Sequence, residues 1–262
     1  MPVETSSAAD AATVLDRAGE ETLELFREND GYNQFLFESL CAMAGRPLAG
    51  RVLEVGCGIG NLTRQILARP GVTFVRAIDL DPAYVERVAR EIPDARLSVA
   101  AAAAEEYCPA EHRTDEGGFD FVVSSNVLEH IEDHVHAARN IHNMLRPGGI
   151  ALILVPAHPW LYSELDRRLS HFRRYRRRDV RGLATAAGLA ATRVRYFNPL
   201  GALGWWLNGK VLRRAALPSG QLALYSRWAI PVSKLLDRLC IVPIGVSVLG
   251  ALVRAEDCSS GA

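Results

Sequence analysis

The sequence predicts an α/β protein built on a doubly wound, mostly parallel sheet, and three observations carry that prediction. RVLEVGCGIGNLT, residues 51–63, reads as a strand that stops in a glycine turn and resumes as a helix. VTFVRAIDLDP, residues 72–82, reads as a second strand ending at Asp79, followed by a helix start with Asp81 as cap and Pro82 in the first turn. FDFVVS (119–124) and IALILV (150–155), separated by a helical stretch and the stop signal Pro147-Gly148-Gly149, continue the alternation of strand and helix that produces parallel sheets.

The first of these is the organising element. Val52, Leu53 and Val55 supply the apolar run of a buried strand, and Gly56, Gly58 and Gly60 let the backbone take positive φ and lie against a bound molecule. A helix beginning at Asn61 aims its unpaired N–H groups at the crevice above the strand, where open α/β sheets bind ligands. The dinucleotide fingerprint requires glycine at its first, third and sixth positions; here the sixth is Asn61 and the third glycine arrives one residue early, which weakens an NAD reading. Asp79 stands about two dozen residues past Gly56, where a carboxylate can accept both hydroxyls of a ribose.

On LEVGCGIG and Asp79 the sequence resembles the class I S-adenosylmethionine-dependent methyltransferases. That resemblance implies a Rossmann-like seven-stranded sheet with an antiparallel last strand, and S-adenosyl-L-methionine as cofactor. It assigns the cofactor loop to Glu54, Gly56, Cys57, Gly58, Gly60 and Asn61, and the ribose end to Asp79 and Leu80. The adenine end falls on Ala103, Ala104 and Glu105, where many relatives carry an aspartate in a pattern like D-A-E-E; Ala103 has no side chain to accept the adenine amine, leaving the Ala104 backbone or Glu105. The segment after the fourth strand, SSNVLEHIEDH, matches the stretch that passes the methionine half, which implicates Asn126 and Val127.

The totals fit a soluble globular protein of one large domain or one domain with an elaborated lid. Net charge is zero and the isoelectric point about 7.1, so no bulk field draws the chain to nucleic acid or anionic membrane. Cys41, Cys57, Cys108, Cys240 and Cys258 are odd in number and show no paired spacing, so neither a zinc ribbon nor a disulfide framework is expected. MPVETSSAAD carries no secretory signal, and the longest uncharged apolar run, 239–253, is too short to span a bilayer. A cytoplasmic protein is expected.

In chain order, residues 1–48 read as an N-terminal helical cap: an acidic helix from about Ala11 to Phe26, then a second from about Tyr32 to Met43. YNQFLFESL in the second resembles a helix that closes over the cofactor in related bacterial enzymes, so Tyr32 is a contact candidate; packing alone is the alternative reading. Residues 49–198 form the cofactor-binding core, 199–240 a helical lid insertion, 241–255 the final strand and 256–262 a tail. His130 and His134 are four apart, a spacing two metal ligands can use on one helix face, but no third ligand is placed and no metal is expected. His136 and His142 read as solvent-facing.

The loop after the fifth strand, PAHPWLYSELDRRLSHFRRYRRRD, leaves the sheet on the cofactor side, where a methyl acceptor should enter. Its Asp166, His171, Arg173, Arg174 and Tyr175 match a pattern in methyltransferases associated with bacterial glycosyltransferases. His158, His171, Tyr162 and Asp166 are the side chains that could take a proton from an acceptor, His158 and His171 before the others; in the competing reading Asp166 and the arginines pin the loop by ion pairs. The arginines between Arg167 and Arg181 are read first as a face paired with the acidic N-terminal helix, then as a pocket for an anionic acceptor, and last as a nucleic-acid contact. Trp205 and Trp206 in the insertion suit either a lid over an apolar acceptor or a membrane-surface contact. The reading is methyl transfer to a small-molecule or lipid-like acceptor, without nucleic acid; its rivals are a methyltransferase-fold scaffold without catalysis and an NAD-binding oxidoreductase.

Overall fold

The computed structural model describes residues 23, 24, 27, 30–107, 118–212, 229–239 and 243–256. Most of the acidic helix expected at 11–26, the polar loop 114–117, residues 213–228 of the insertion, Cys108, Cys240 and Cys258 lie outside them. The elements are α1 (Asp30–Ala44), β1 (Gly50–Val55), α2 (Asn61–Leu67), β2 (Val72–Asp79), α3 (Pro82–Glu91), β3 (Leu97–Ala101), β4 (Phe119–Ser125), α4 (His134–Met144), β5 (Leu145–Pro156), α5 (Glu164–Arg168), α6 (Arg177–Ala186), β6 (Leu189–Phe197), α7 (Pro199–Trp206), α8 (Ile230–Leu239) and β7 (Ser247–Arg254).

The seven strands run in the order β3-β2-β1-β4-β5-β7-β6. β1 to β5 pair in parallel, and β7 is antiparallel to both β5 and β6, as the resemblance implied. Side-chain alternation separates two apolar layers. Leu53, Val55, Val122 and Ile153 face the layer that includes Ala137, Met144 and Leu183 from α4 and α6; Val52, Phe121, Val123 and Leu152 face Phe37, Leu40, Ile66 and Val88 from α1, α2 and α3.

Strand order reverses beside β1: β2 lies on one side and β4 on the other. The loops after β1 and β4 therefore depart to opposite faces and leave a crevice above their carboxyl ends. Two caps fix the neighbouring helices. Asp81 accepts the Ala83 N–H at 2.8 Å to start α3, and Asp133 accepts the His136 N–H at 3.0 Å to start α4.

That second cap corrects an expectation. His130 and His134 do not share a helix: Leu128–His130 is a single 3₁₀ turn, Ile131 is extended, and α4 begins at His134. Tertiary context also redirects the acidic N-terminal segment. Glu24 pairs with Arg87 at 2.6 Å and Arg27 with Glu91 at 3.0 Å, so among the described residues this segment binds α3 rather than the arginines of 167–181.

Candidate active site

The crevice has a backbone-built end and a side-chain-built end. At the first, Gly56, Gly58 and Gly60 take φ of 77°, 49° and 83°. The approach at Gly56 admits no side chain, because a Cβ there would stand 2.3 Å from Val127 Cγ2 of the loop after β4. Asp79 closes the turn: its Oδ2 accepts the Gly58 N–H at 2.7 Å and its Oδ1 accepts the Asp81 N–H at 3.0 Å. Burial pushes this carboxyl upward, and the two N–H donors pull against it.

Below the turn, Glu54 is buried, accepts the Thr63 hydroxyl at 2.6 Å, and is pushed up to about 8 by burial. Cys57 is buried, and burial raises its thiol as well. Above the turn, the Asn61 side chain donates to the Leu23 carbonyl at 3.1 Å and the Leu23 side chain lies over Gly58, so the N-terminal segment roofs the loop. Leu80 is exposed on the rim beside Asp79.

The turn after β3 is held from a distance. Asn140 of α4 donates through Nδ2 to the carbonyls of Ala104 (3.2 Å) and Glu105 (2.5 Å), fixing Ala103, Ala104 and Glu105 against the core. Asn126, with φ of 54°, is exposed at the end of β4, and Val127 turns back onto Gly56. Tyr32 packs partly buried against the α1 layer, and Asn33 is buried beside it.

The other end is assembled from residues far apart in the chain. Tyr175 bridges to Ala157 beside β5, its N–H donating to the Pro156 carbonyl, and the Phe172 N–H donates to the Glu129 carbonyl at 2.8 Å. Together these bonds bring the 171–175 segment over the 3₁₀ turn. Asp166 is fully buried and accepts four bonds: Ser163 N–H at 2.9 Å and hydroxyl at 3.3 Å on Oδ2, His171 Nδ1 at 3.0 Å and Arg174 Nε at 2.6 Å on Oδ1. Burial alone would raise this carboxyl; the His171 hydrogen bond and Arg174 overcome it and hold it below its ordinary range. Arg174 also donates to the Ala157 carbonyl and lies over the Trp205 ring, 4.6 Å from its centroid.

This geometry corrects two of the proposed proton acceptors. Asp166 has no free face toward an acceptor and serves as the anchor of its loop, the ion-pair reading of that segment. Tyr162 donates its hydroxyl to the His171 carbonyl at 2.7 Å and is committed there. His158 is buried with φ of 60°, stacks on Tyr196 at 4.3 Å and leaves Nε2 without a partner. Desolvation, then the charges of Arg174, Arg176 and Arg177, hold its pKa down.

Glu129, which the sequence shows only as a neighbour of His130, is fully buried, neither of its carboxylate oxygens has a hydrogen-bond partner among the described residues, and burial pushes it up to about 8. His134, suspected as a ligand, instead shares a 2.8 Å hydrogen bond with the Tyr175 hydroxyl, which also donates to the Leu128 carbonyl. The insertion packs onto this end. A Cβ at Gly209 would meet Ser163 Oγ at 2.7 Å, while Leu203, Trp206, Val211 and Leu212 turn outward and are exposed. Among the described residues no helix is long and apolar enough to cross a membrane.

A glycine cradle against the end of β4, an acid closing it from β2, and a sheet of this order define the class I S-adenosylmethionine-dependent methyltransferases. The chain belongs to the methyltransferase-domain family, a model of which (Methyltransf_23) matches residues 24–207. It is 30% identical over 170 residues to the ubiquinone biosynthesis O-methyltransferase of Ralstonia nicotianae, covering 59% of this chain and 70% of that one. It is 31% identical over 106 residues to the hybrid PKS-NRPS synthetase apdA of Emericella nidulans, covering 39% of this chain and only 3% of that synthetase.

Among solved structures it resembles an S-adenosylmethionine-dependent methyltransferase from Mesorhizobium loti, at TM-score 0.56 and 20% identity, covering 83% of this chain and 96% of that one. It also resembles the N-methyltransferase NodS of Bradyrhizobium japonicum in complex with S-adenosyl-L-homocysteine, at TM-score 0.52 and 19% identity, covering 88% and 87%. S-adenosylmethionine is the cofactor of this class, and the residues present fit it: a carboxylate offers about four acceptor positions, and the backbone donors at Gly58, Leu80 and Asp81 leave Asp79 acceptor capacity for a ribose hydroxyl.

Proposed function

We propose that the chain transfers a methyl group from S-adenosylmethionine to a small-molecule or lipid-like acceptor. The observation that carries this reading is the joining of the cradle to an apolar-faced insertion: α7 and the π-helical turn Leu207–Val211 cover the Asp166 cluster through Arg174–Trp205 and Gly209–Ser163, next to the loop after β5. An insertion so placed walls an acceptor pocket, and its outward Leu203, Trp206 and Leu212 suit an apolar body or a membrane surface that delivers one. Arg176 and Arg177, whose charges bear on His158, supply a basic rim for an anionic group.

When bound, the cofactor supplies a methyl on a sulfonium, already a good leaving group, so in-line positioning accounts for much of the acceleration, up to roughly 7–11 kcal/mol. Asp79 fixes the ribose, Gly56 and Val127 fix the approach of the backbone, and the Asn140-held turn borders the adenine end. His158, whose pKa burial and the nearby arginines hold down, leaves Nε2 without a partner among the described residues, which suits it to accept a proton from an oxygen or nitrogen nucleophile. His171, with Nδ1 on Asp166, turns its other nitrogen toward buried Glu129, 4.0 Å away, and so lines this end rather than taking the acceptor's proton. The test is incubation with methyl-labelled S-adenosylmethionine and fractionated small molecules, lipids, protein and nucleic acid. Label in an organic-extractable small molecule, abolished by Asp79→Ala, is the expected result. Label confined to protein or nucleic acid contradicts it.

A further inference from the structure

We propose that Glu129, His130 and His171 bind a divalent metal ion of the zinc class through one carboxylate and two imidazoles. The ligand atoms of the three all lie within 4.8 Å of one another, and His171 Nε2 stands 4.0 Å from Glu129 Oε1. Ligands about 2.1 Å from a tetrahedral centre lie ~3.4 Å apart, so the widest pair of the set, up to 4.8 Å apart, closes on an ion by a rotamer adjustment of about 1.4 Å shared between two side chains. The His130 and His171 rings meet edge to face, with centroids 4.7 Å apart and planes at 84°, which keeps two nitrogens near one point without stacking.

The hydrogen bonds supply the independent argument. Asp166 is an acceptor, so His171 donates to it through Nδ1 and turns Nε2 toward Glu129. Glu129 is fully buried and both its oxygens lack donors. Glu129 and this imidazole nitrogen meet in a dry place with no donor between them among the described residues; a proton on the carboxyl or a cation satisfies both, and His130 as a third ligand atom within 4.8 Å favours the cation. Behind His171 stands a carboxylate, Asp166, itself locked by Arg174, the arrangement that orients a ligating imidazole. His130 is exposed and gives the ion its entry path.

The set is mixed nitrogen and oxygen, which favours Zn²⁺ over Mg²⁺, and three protein ligands leave a fourth position open as in catalytic sites. Its role rests on the methyl-transfer reading above: the turn that carries Glu129 and His130 follows Asn126 and Val127 on the acceptor side, so an acceptor hydroxyl bound at the open position would lose its proton to solvent near neutral pH.

The experiment is calorimetric titration of the metal-free full chain with Zn²⁺ alone and Mg²⁺ alone, for wild type, Glu129→Gln and His130→Ala, with S-adenosylhomocysteine titrated into each. His130→Ala removes an exposed side chain and keeps the test valid if Glu129→Gln proves unstable. The proposal expects about one equivalent of Zn²⁺ in wild type, binding at least about tenfold weaker in both variants, and a preference for Zn²⁺ over Mg²⁺. No zinc uptake, uptake that both variants retain, or a preference for Mg²⁺ overturns it. Failure of wild type to bind S-adenosylhomocysteine would instead remove the methyl-transfer role and leave the metal result standing by itself.

Discussion

The two ends of the crevice are built by different means, and they differ in how far they depend on the rest of the molecule. The cofactor end is mostly backbone: three glycines at positive φ and one carboxylate two strands into the fold, joined by N–H bonds across 21 residues. The end we propose for the acceptor is mostly side chain: Asp166 gathers Ser163, His171 and Arg174, Arg174 reaches Trp205, and the segment leans on Glu129 some forty residues upstream. A backbone cradle tolerates variation around it, whereas a buried ion cluster fails together when one member is removed.

The largest effect expected follows from that contrast. Arg174→Ala leaves Asp166 buried with its principal cation gone, and should cost about 3–5 kcal/mol of unfolding free energy in a urea titration. A loss near that of an exposed ion pair would show the acceptor end to be looser than described. Asp79→Ala should cost about 1–3 kcal/mol of stability by unpairing the Gly58 N–H and, by removing the proposed ribose contact, weaken S-adenosylhomocysteine by about 3 kcal/mol, on the order of a hundredfold, by calorimetry.

Gly56→Ala sharpens the same contrast at smaller scale. A Cβ that meets Val127 in a residue held at φ 77° should cost about 1–3 kcal/mol, measured by thermal unfolding, and weaken the cofactor without touching zinc uptake. The remaining expectation is a pH slope. Glu54 holds a proton in the folded chain up to about pH 8 that the unfolded chain releases near its ordinary 4.5. Its contribution is therefore complete below about pH 4.5 and is lost as pH rises toward 8, with a slope of up to about 1.4 kcal/mol per pH unit. Comparing wild type with Glu54→Gln, which has no proton to lose, should show that slope flattened.

The contrast also explains what could be read in advance. Strands β1, β2, β4 and β5, the Asp81 cap and the glycine loop are local patterns, and their residues carry their own geometry. The ribose acid was legible because the length of a strand-helix-strand unit fixes where it falls. Glu129 was not, since in sequence it stands in a stretch that reads as one continuous helix, and only the cap at Asp133 and the Phe172–Glu129 bond turn it toward His171. The same holds for Asn140, whose reach to Ala104 and Glu105 depends on how α4 lies on the sheet, and for Leu23 over Gly58. His130 and His134 looked like a pair by spacing and are separated by an extended Ile131 and a helix cap at Asp133 that spacing does not encode.

The central claim is that the crevice joins a cofactor cradle to a separately built acceptor end. Its most direct test is S-adenosylhomocysteine titrated side by side into wild type, Asp79→Ala and Glu129→Gln. The account predicts binding to wild type, a loss on the order of a hundredfold in Asp79→Ala and a change within about threefold in Glu129→Gln. Equal losses in both variants, or no binding to wild type, would contradict it.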